Sequence, residues 1–312
     1  MVTLENYHSD DPIAWCPGCG NFSILKALKQ ALVDLQQEPH ELVIVSGIGQ
    51  APKTPHYLRC NCFNGLHGRT LPVATGIKLA NHKLTVLAQG GDGDGYAEGG
   101  NHFLHAMRRN INITYLVHNN QVYGLTKGQT SPTSEYGFVT NTTPRGAVSP
   151  ACNPLLLAIA SDCSFVARGF AGEIDHLADL IKAGLQHKGF ALIDILQPCV
   201  SFNRVNTFKW YSERVYKIDA DSTHDASDRL NAFQKAQEWG IRSPSVLFTA
   251  IKDRLWKNRY RQLPISPWSH SRWIQALFQI CLRSLSRSCF KANRPSSLFR
   301  NQRVLSEQGF GK

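Results

Sequence analysis

The chain has 312 residues, of which 42% are hydrophobic, with 34 Lys+Arg against 23 Asp+Glu and nine cysteines. That is enough apolar chain for a sizeable core in one large α/β domain or two small ones, and no apolar run reaches the ~18–20 residues that a membrane-spanning helix needs. The net charge of +11 suggests nucleic acid, but residues 243–312 hold 13 of the basic residues and two acids, while residues 1–242 hold 21 of each, so the body carries no excess.

The opening MVTLENYHSDDP lacks the basic region and apolar stretch of a secretory signal. A cytoplasmic protein with reduced thiols is expected, and nine cysteines in that setting point to metal or catalysis more than to disulfides. Asn21 reads as a helix cap. Leu25, Leu28, Leu32 and Leu35 then recur at helical spacing. LVIVS (42–46) is a short apolar, β-branched run, hence a buried strand. The pattern then alternates: helix over 71–81, strand 84–88, helix 96–110, strand 113–118, helix 155–162, strand 165–169, helix 173–187 and strand 190–196. Strands alternating with helices of this length imply an α/β fold, a parallel sheet with helices on both faces.

Function in such a sheet gathers in loops at the carboxyl ends of strands. Three of those loops are unusual: SGIGQAPK (46–53), QGGDGDGYAEGG (89–100) and NNQVYGLTKGQTSPTS (119–134). Glycines let backbone amides approach a phosphate closely, and the carboxylates Asp92 and Asp94 beside them suit a hard cation such as Mg²⁺. After the next strand Asn119 and Asn120 offer neutral amide oxygens. Each loop alone is also what an ordinary turn looks like; two on consecutive strands, with 25 residues between Gly93 and Asn119, favour a cation–diphosphate site.

The Cys16-x-x-Cys19 pair in DPIAWCPGCGN has three readings: a redox dithiol, half a zinc site, or part of an iron–sulfur cluster. A thioredoxin-like pair follows a strand, and only a polar stretch precedes Cys16. Structural zinc wants a second closely spaced pair, and Cys60-x-Cys62 has the wrong spacing.

Gly91-Asp92-Gly93, the spacer and Asn119-Asn120 resemble the thiamine-diphosphate enzyme motif. More narrowly, WCPGCGN, VSGIGQ, GLHGRTLPVATGIKLAN, GGDGDG, NNQVYGLTKGQTSPT, FVARG and DILQPC, in order over residues 13–215, resemble the β subunit of 2-oxoacid:ferredoxin oxidoreductases. The resemblance implies a thiamine diphosphate-binding, diphosphate-domain fold over 1–242 with an N-terminal iron–sulfur segment. It implies oxidative decarboxylation of a 2-oxo acid to acyl-CoA and CO₂, with electrons passed to ferredoxin. It further implies an α subunit that holds the pyrimidine-binding domain, and further small subunits. A non-redox thiamine diphosphate-dependent decarboxylase subunit is the alternative.

By the same resemblance Asp92, Asn120 and the carbonyl of Val122 hold Mg²⁺. Gly47, Ile48, Gly49, His67, Gly68, Gly91, Gly93, Asp94, Gly124 and Leu125 line the cofactor. His67 acts near the thiamine, Lys53 meets the substrate carboxylate, which favours 2-oxoglutarate over pyruvate, and Lys127 faces the acyl acceptor or the partner chain. Cys16, Cys19 and Cys199 take three places of a [4Fe–4S] cluster. The family's remaining Cys is Gln50 here; Cys60, ahead of Cys62, is the candidate to replace it, the alternatives being a three-Cys cluster with an unusual fourth ligand or no stable cluster.

Beyond 242 acids become scarce and Arg, Ser and Trp become abundant, without apolar periodicity. The family's ending is expected to be acidic. Residues 243–312 therefore read as an atypical basic tail, the product of a reading-frame change near Arg242 or a disordered arm.

Overall fold

The computed structural model of the chain describes residues 1–218, 225, 227–239, 243–245 and 247–250, the last two stretches as backbone only. The strands are β1 (Leu42–Ser46), β2 (Asn61–Asn64), β3 (Thr85–Gly91), β4 (Ile113–Asn119), the short hairpin β5 (Val122–Tyr123) and β6 (Gln129–Thr130), β7 (Phe165–Phe170), β8 (Phe190–Leu196), β9 (Val215–Lys217), β10 (Ser243–Ser245) and β11 (Leu247–Ala250). The helices are α1 (Gly20–Asp34), α2 (Thr70–Ala80), α3 (Gly100–Arg109), α4 (Pro154–Ala160), α5 (Ile174–Gln186), α6 (Phe208–Ser212) and α7 (Arg229–Ala236).

Seven strands form one sheet in the order β11-β7-β8-β4-β3-β1-β2. Every pairing is parallel except the edge pair β11–β7. β1, β4, β7 and β8 are buried along their whole length, as a sheet covered on both faces requires. Alternate residues feed two cores. Ile44, Leu87, Leu116 and Ile193 pack against Ile24, Leu28 and Leu32 of α1 and Leu177 and Ile181 of α5. Val45, Val86, Val117 and Leu192 pack on the other face against Leu71 of α2, Phe103 and Met107 of α3 and Ile159 of α4. The α/β sheet expected from the alternating pattern is the one observed.

Three local features differ from the sequence reading. Cys19, not Asn21, caps α1. Asn21 is one residue inside the helix and buried, where its side-chain oxygen takes the His118 Nδ1 proton at 2.7 Å, a tertiary bond that local capping preference cannot reveal. The helix expected at 96 is preceded by a π-helical turn, Gly93–Glu98, straight after Asp92. β2 is a largely exposed polar edge strand with no apolar run to announce it. Met1–Arg254 form one compact unit; of the basic tail read from the sequence, everything past Ala250, including the whole second unit Leu255–Lys312, lies outside the described residues. No helix among the described residues is long and apolar enough to cross a membrane.

Candidate functional site

The carboxyl ends of β1, β3 and β4 lie side by side, so the loops that follow them meet. Of the positions expected to line the cofactor, Ile48, Gly49, His67, Gly91, Asp92, Gly93, Asp94, Asn120, Val122, Gly124 and Leu125 line one cavity. Gln50, Tyr123 and His118 join them.

Asp94 ties the loops together. Its Oδ1 accepts from the amides of Ile48 (3.0 Å) and Gly68 (2.8 Å) and lies 3.0 Å from His67 Nδ1, while Oδ2 accepts from Thr70 (3.1 Å). Burial pushes this carboxyl up, and the amide donors hold it down. A Cβ on Gly47 would run into the Asp94 carboxylate, and one on Gly93 would strike the Tyr123 ring, so both glycines are required by close approach. Gly47 and Gly68 thus shape the cavity from behind its wall.

Asp92 is the free-standing charge. It is 1% exposed, and Ser131 (2.5 Å) and Thr133 (2.6 Å) both donate to Oδ2; neither reaches Oδ1. Burial raises its carboxyl to about 6 against those two donors. A buried carboxylate without a cationic partner is costly, and a bound cation would relieve that cost. Asn120 projects from the turn after β4, where Gln121 takes a left-handed φ of 60° and turns the chain back into the β5–β6 hairpin. Its amide oxygen accepts from Val122 N at 3.0 Å. An acid, an amide and a backbone carbonyl from residues at one cavity wall are donors of the type Mg²⁺ takes alongside a diphosphate. Among the described residues no three His, Cys, Asp or Glu side chains gather closely enough for a single ion, so an ion here draws on Asn120, backbone and phosphate oxygens.

Behind Asp92 runs a buried polar chain that sequence reasoning missed. Thr133 Oγ1 lies 2.9 Å from Asn119 Oδ1, Asn119 donates to Asp194 at 3.1 Å, and Asp194 also accepts from Tyr96 (2.9 Å) and Arg168 (3.1 Å). The signal was a lone acid inside FALIDIL and a lone Arg inside FVARG, each in an otherwise apolar strand. Burial lowers His118 to about 3; Gln89 donates to its Nε2, which fixes the neutral ring.

A second cleft abuts the first. Cys16, Cys19, Cys199, Trp15 and Gln50 line it, with Asn120 and Gly124; Gln50, Asn120 and Gly124 belong to both walls. Cys16 is exposed, Cys199 buried, and Cys19 stands at the start of α1 with Gln197 donating to its sulfur at 3.4 Å. The Gly20 amide bonds Pro198 O at 3.2 Å, which fixes the two Cys segments against each other. Burial pushes the Cys19 thiol up to about 11, so a thiolate there calls for a metal partner. Three sulfurs around an open cleft, too spread for one ion, fit a cluster, in which each thiolate binds a separate iron.

The structure does not bring Cys60 to this cleft. It precedes β2 at the amino end of the sheet, where Asn61 pairs with Val43, roughly 13 Å of strand back from the carboxyl ends. It packs against the apolar core, and burial pushes its thiol up to about 12. Cys62 is exposed on the same edge strand. Lys53 is half-buried on the 3₁₀ turn Ala51–Tyr57 and does not line the cavity. Lys127 is exposed on the following loop with a left-handed φ of 78°.

Residues 45–195 match the thiamine pyrophosphate enzyme C-terminal, TPP-binding domain, and 199–253 match the C-terminal part of the pyruvate ferredoxin oxidoreductase β subunit. The second match runs past the 242 boundary read from the sequence. The chain is 47% identical over 245 residues, 75% of its length and 80% of the relative, to the β subunit of the 2-oxoacid:ferredoxin oxidoreductase of Saccharolobus solfataricus. It is 44% identical over 199 residues, 64% of its length and 53% of the relative, to the 2-oxoglutarate oxidoreductase subunit KorB of Mycobacterium tuberculosis. Among solved structures it superposes with a TM-score of 0.81 and 36% identity, over 88% of this chain and 96% of that one, on the 2-oxoglutarate:ferredoxin oxidoreductase of Magnetococcus marinus with 2-oxoglutarate, coenzyme A and succinyl-CoA bound.

Proposed function

The chain belongs to the β-subunit family of the 2-oxoacid:ferredoxin oxidoreductases, and from that premise we propose a 2-oxoglutarate-type enzyme in which it carries both thiamine diphosphate·Mg²⁺ and a [4Fe–4S] cluster. It is one subunit of a multi-subunit oxidoreductase that decarboxylates a 2-oxo acid and passes the acyl group to coenzyme A. Its partner is an α subunit that supplies the pyrimidine-binding domain, and its electrons go to ferredoxin in the cytoplasm.

The observation that carries the reading is the wall shared by the two cavities: Gln50, Asn120 and Gly124 stand between the Asp92 site and the three cysteines. Substrate oxidation and electron uptake are thereby neighbours. Bound thiamine diphosphate supplies the electron sink for decarboxylation. This chain's residues do the rest. Asp92, Asn120 and the Val122 carbonyl hold Mg²⁺ against the diphosphate. The Asp94–Gly68–Ile48 ties fix the loop backbone that faces it. His67 lines the cavity, oriented through Nδ1 by Asp94 and with Nε2 3.7 Å from Glu98, and is the group positioned to hold or pass a proton there. Cys16, Cys19 and Cys199 hold the cluster.

Co-purification with the α subunit, followed by assay on 2-oxoglutarate and pyruvate, tests this. Expected is acyl-CoA formation that prefers 2-oxoglutarate and requires thiamine diphosphate, Mg²⁺, coenzyme A and an electron acceptor. Release of CO₂ that needs no acceptor would transfer the chain to the non-redox decarboxylases.

A further inference from the structure

We infer that Gln50 closes the fourth corner of the cluster through its side-chain amide oxygen, so that the cluster is held by three thiolates and one neutral oxygen; this rests on the cluster reading above. Three observations carry it. Gln50 lines the same cleft as Cys16, Cys19 and Cys199. Its Oε1 is buried and accepts no hydrogen bond, a lone acceptor with nothing to satisfy it. Its backbone is anchored, because Trp15 Nε1 donates to its carbonyl at 2.8 Å and Lys53 N lies 3.3 Å from the same oxygen. The side chain is therefore held at the cleft and aimed by its own main chain.

The rival sulfurs do not compete. Cys60 is committed to the core at the amino end of β2 and Cys62 to the exposed edge, and neither lines the cleft. Replacing a thiolate by a neutral donor leaves the cluster one charge less negative, and that raises its reduction potential, as neutral His ligands do in Rieske centres. The same corner is the weak one. One-electron oxidation of the four-iron cluster, the electron going to added ferricyanide, releases that iron as Fe²⁺ and leaves a three-iron cluster. Gln50 also lines the thiamine cavity, so an iron it held would be bound by a residue of the wall that the two cavities share.

The test uses the full chain, purified anaerobically, beside Gln50→Cys, Gln50→Ala and Cys60→Ala, with circular dichroism to confirm that each is folded. Expected for the parent chain is a reduced-cluster EPR signal at a midpoint potential above that of Gln50→Cys. Ferricyanide should convert most of the parent's clusters to the three-iron signal with loss of about one iron in four, and convert several-fold less of Gln50→Cys. Cys60→Ala should match the parent. Loss of the cluster in Cys60→Ala, or identical potentials and oxidation behaviour in all three Gln50 forms, overturns the inference. So does a cluster that assembles in Gln50→Cys but not in the parent; that result would keep the cluster site and remove Gln50 from it. No iron in any folded form would instead remove the cluster reading on which the inference stands.

Discussion

At the scale of single residues, Asp92 and Asp194 show how one buried carboxylate differs from another. Asp92 has hydroxyl donors but no cation, and Asp194 has Arg168. Asp92→Asn removes the charge and keeps the shape. It should lower Mg²⁺-dependent thiamine diphosphate affinity at least about 100-fold, the loss of one charged ligand, with the fold unchanged; titration calorimetry reads it, and an unaltered affinity would take Asp92 out of the site. Asp194→Ala strands a guanidinium that is 2% exposed. A broken buried pair costs about 3–5 kcal/mol, so its melting temperature should fall by about 10 °C, whereas Arg168→Met with Asp194→Leu should recover much of that. That Asp92 and Asn120 meet at one cavity was legible at this scale, because Asp-Gly and Asn-Asn stand out in sequence. Ser131 and Thr133 were not. Hydroxyl residues are common in loops, and only the folded hairpin shows that these two turn back onto Asp92.

At the scale of elements, the strands were legible because a sheet buried on both faces writes uninterrupted apolar runs. β2 and the π-helical turn were not: the first is polar and exposed, and the second lies in Gly93–Glu98, a Gly-rich stretch without helical apolar periodicity. The glycines separate by the same logic. Gly47→Ala would force the Asp94 carboxylate aside and should cost about 1–3 kcal/mol, with weaker thiamine diphosphate binding. Gly76→Ala, on an exposed face of α2 with nothing near its would-be Cβ, should gain about 0.5–1 kcal/mol. Denaturant unfolding of the pair checks both signs. His187, where α5 ends, gives a pH dependence away from the site. Burial lowers its pKa, and Ser164 Oγ lies 2.7 Å from Nε2. A folded pKa below the unfolded value near 6.5 means the unfolded chain takes the proton first. Stability should therefore be full above that pH and decline as pH falls through 6.5 toward the lower folded value, by at most about 1.4 kcal/mol per unit. His187→Gln should flatten that decline in unfolding measured from pH 8 to 5; an unchanged slope would assign it to other groups.

At the scale of the molecule, the chain reads as half of an active site. Its acids near the cavity are already engaged: Asp94 by the loops, Asp92 by Ser131 and Thr133, and Glu98 by Tyr123 at 3.0 Å. Thiamine chemistry also needs a carboxylic acid on the aminopyrimidine, and in the function proposed above the pyrimidine-binding domain of an α subunit would supply it. The cavity's rim has the character of a surface that expects such a partner. Leu66 is 74% exposed beside His67, and Val205 is 56% exposed after the cysteine segment, with Ile48, Leu125 and Phe202 exposed between the loops. Ile48 and Leu125 line the cavity and Phe202 the adjoining cleft, while Leu66 precedes the cavity residue His67, and exposed apolar side chains at a functional site favour an interface. The isolated chain is thus expected to bind thiamine diphosphate·Mg²⁺ yet give no turnover, and added α subunit should restore it. Leu66→Asp and Val205→Asp should each weaken that association about tenfold or more, the scale of an interface anchor, while leaving melting of the free chain within about 0.5 kcal/mol, as surface changes do. Ultracentrifugation of the reconstituted complex reads the association and calorimetry of the free chain reads the fold. Full association with both aspartates in place would move the partner to another face, and turnover by the β chain alone would mean that the missing acid is supplied from within it.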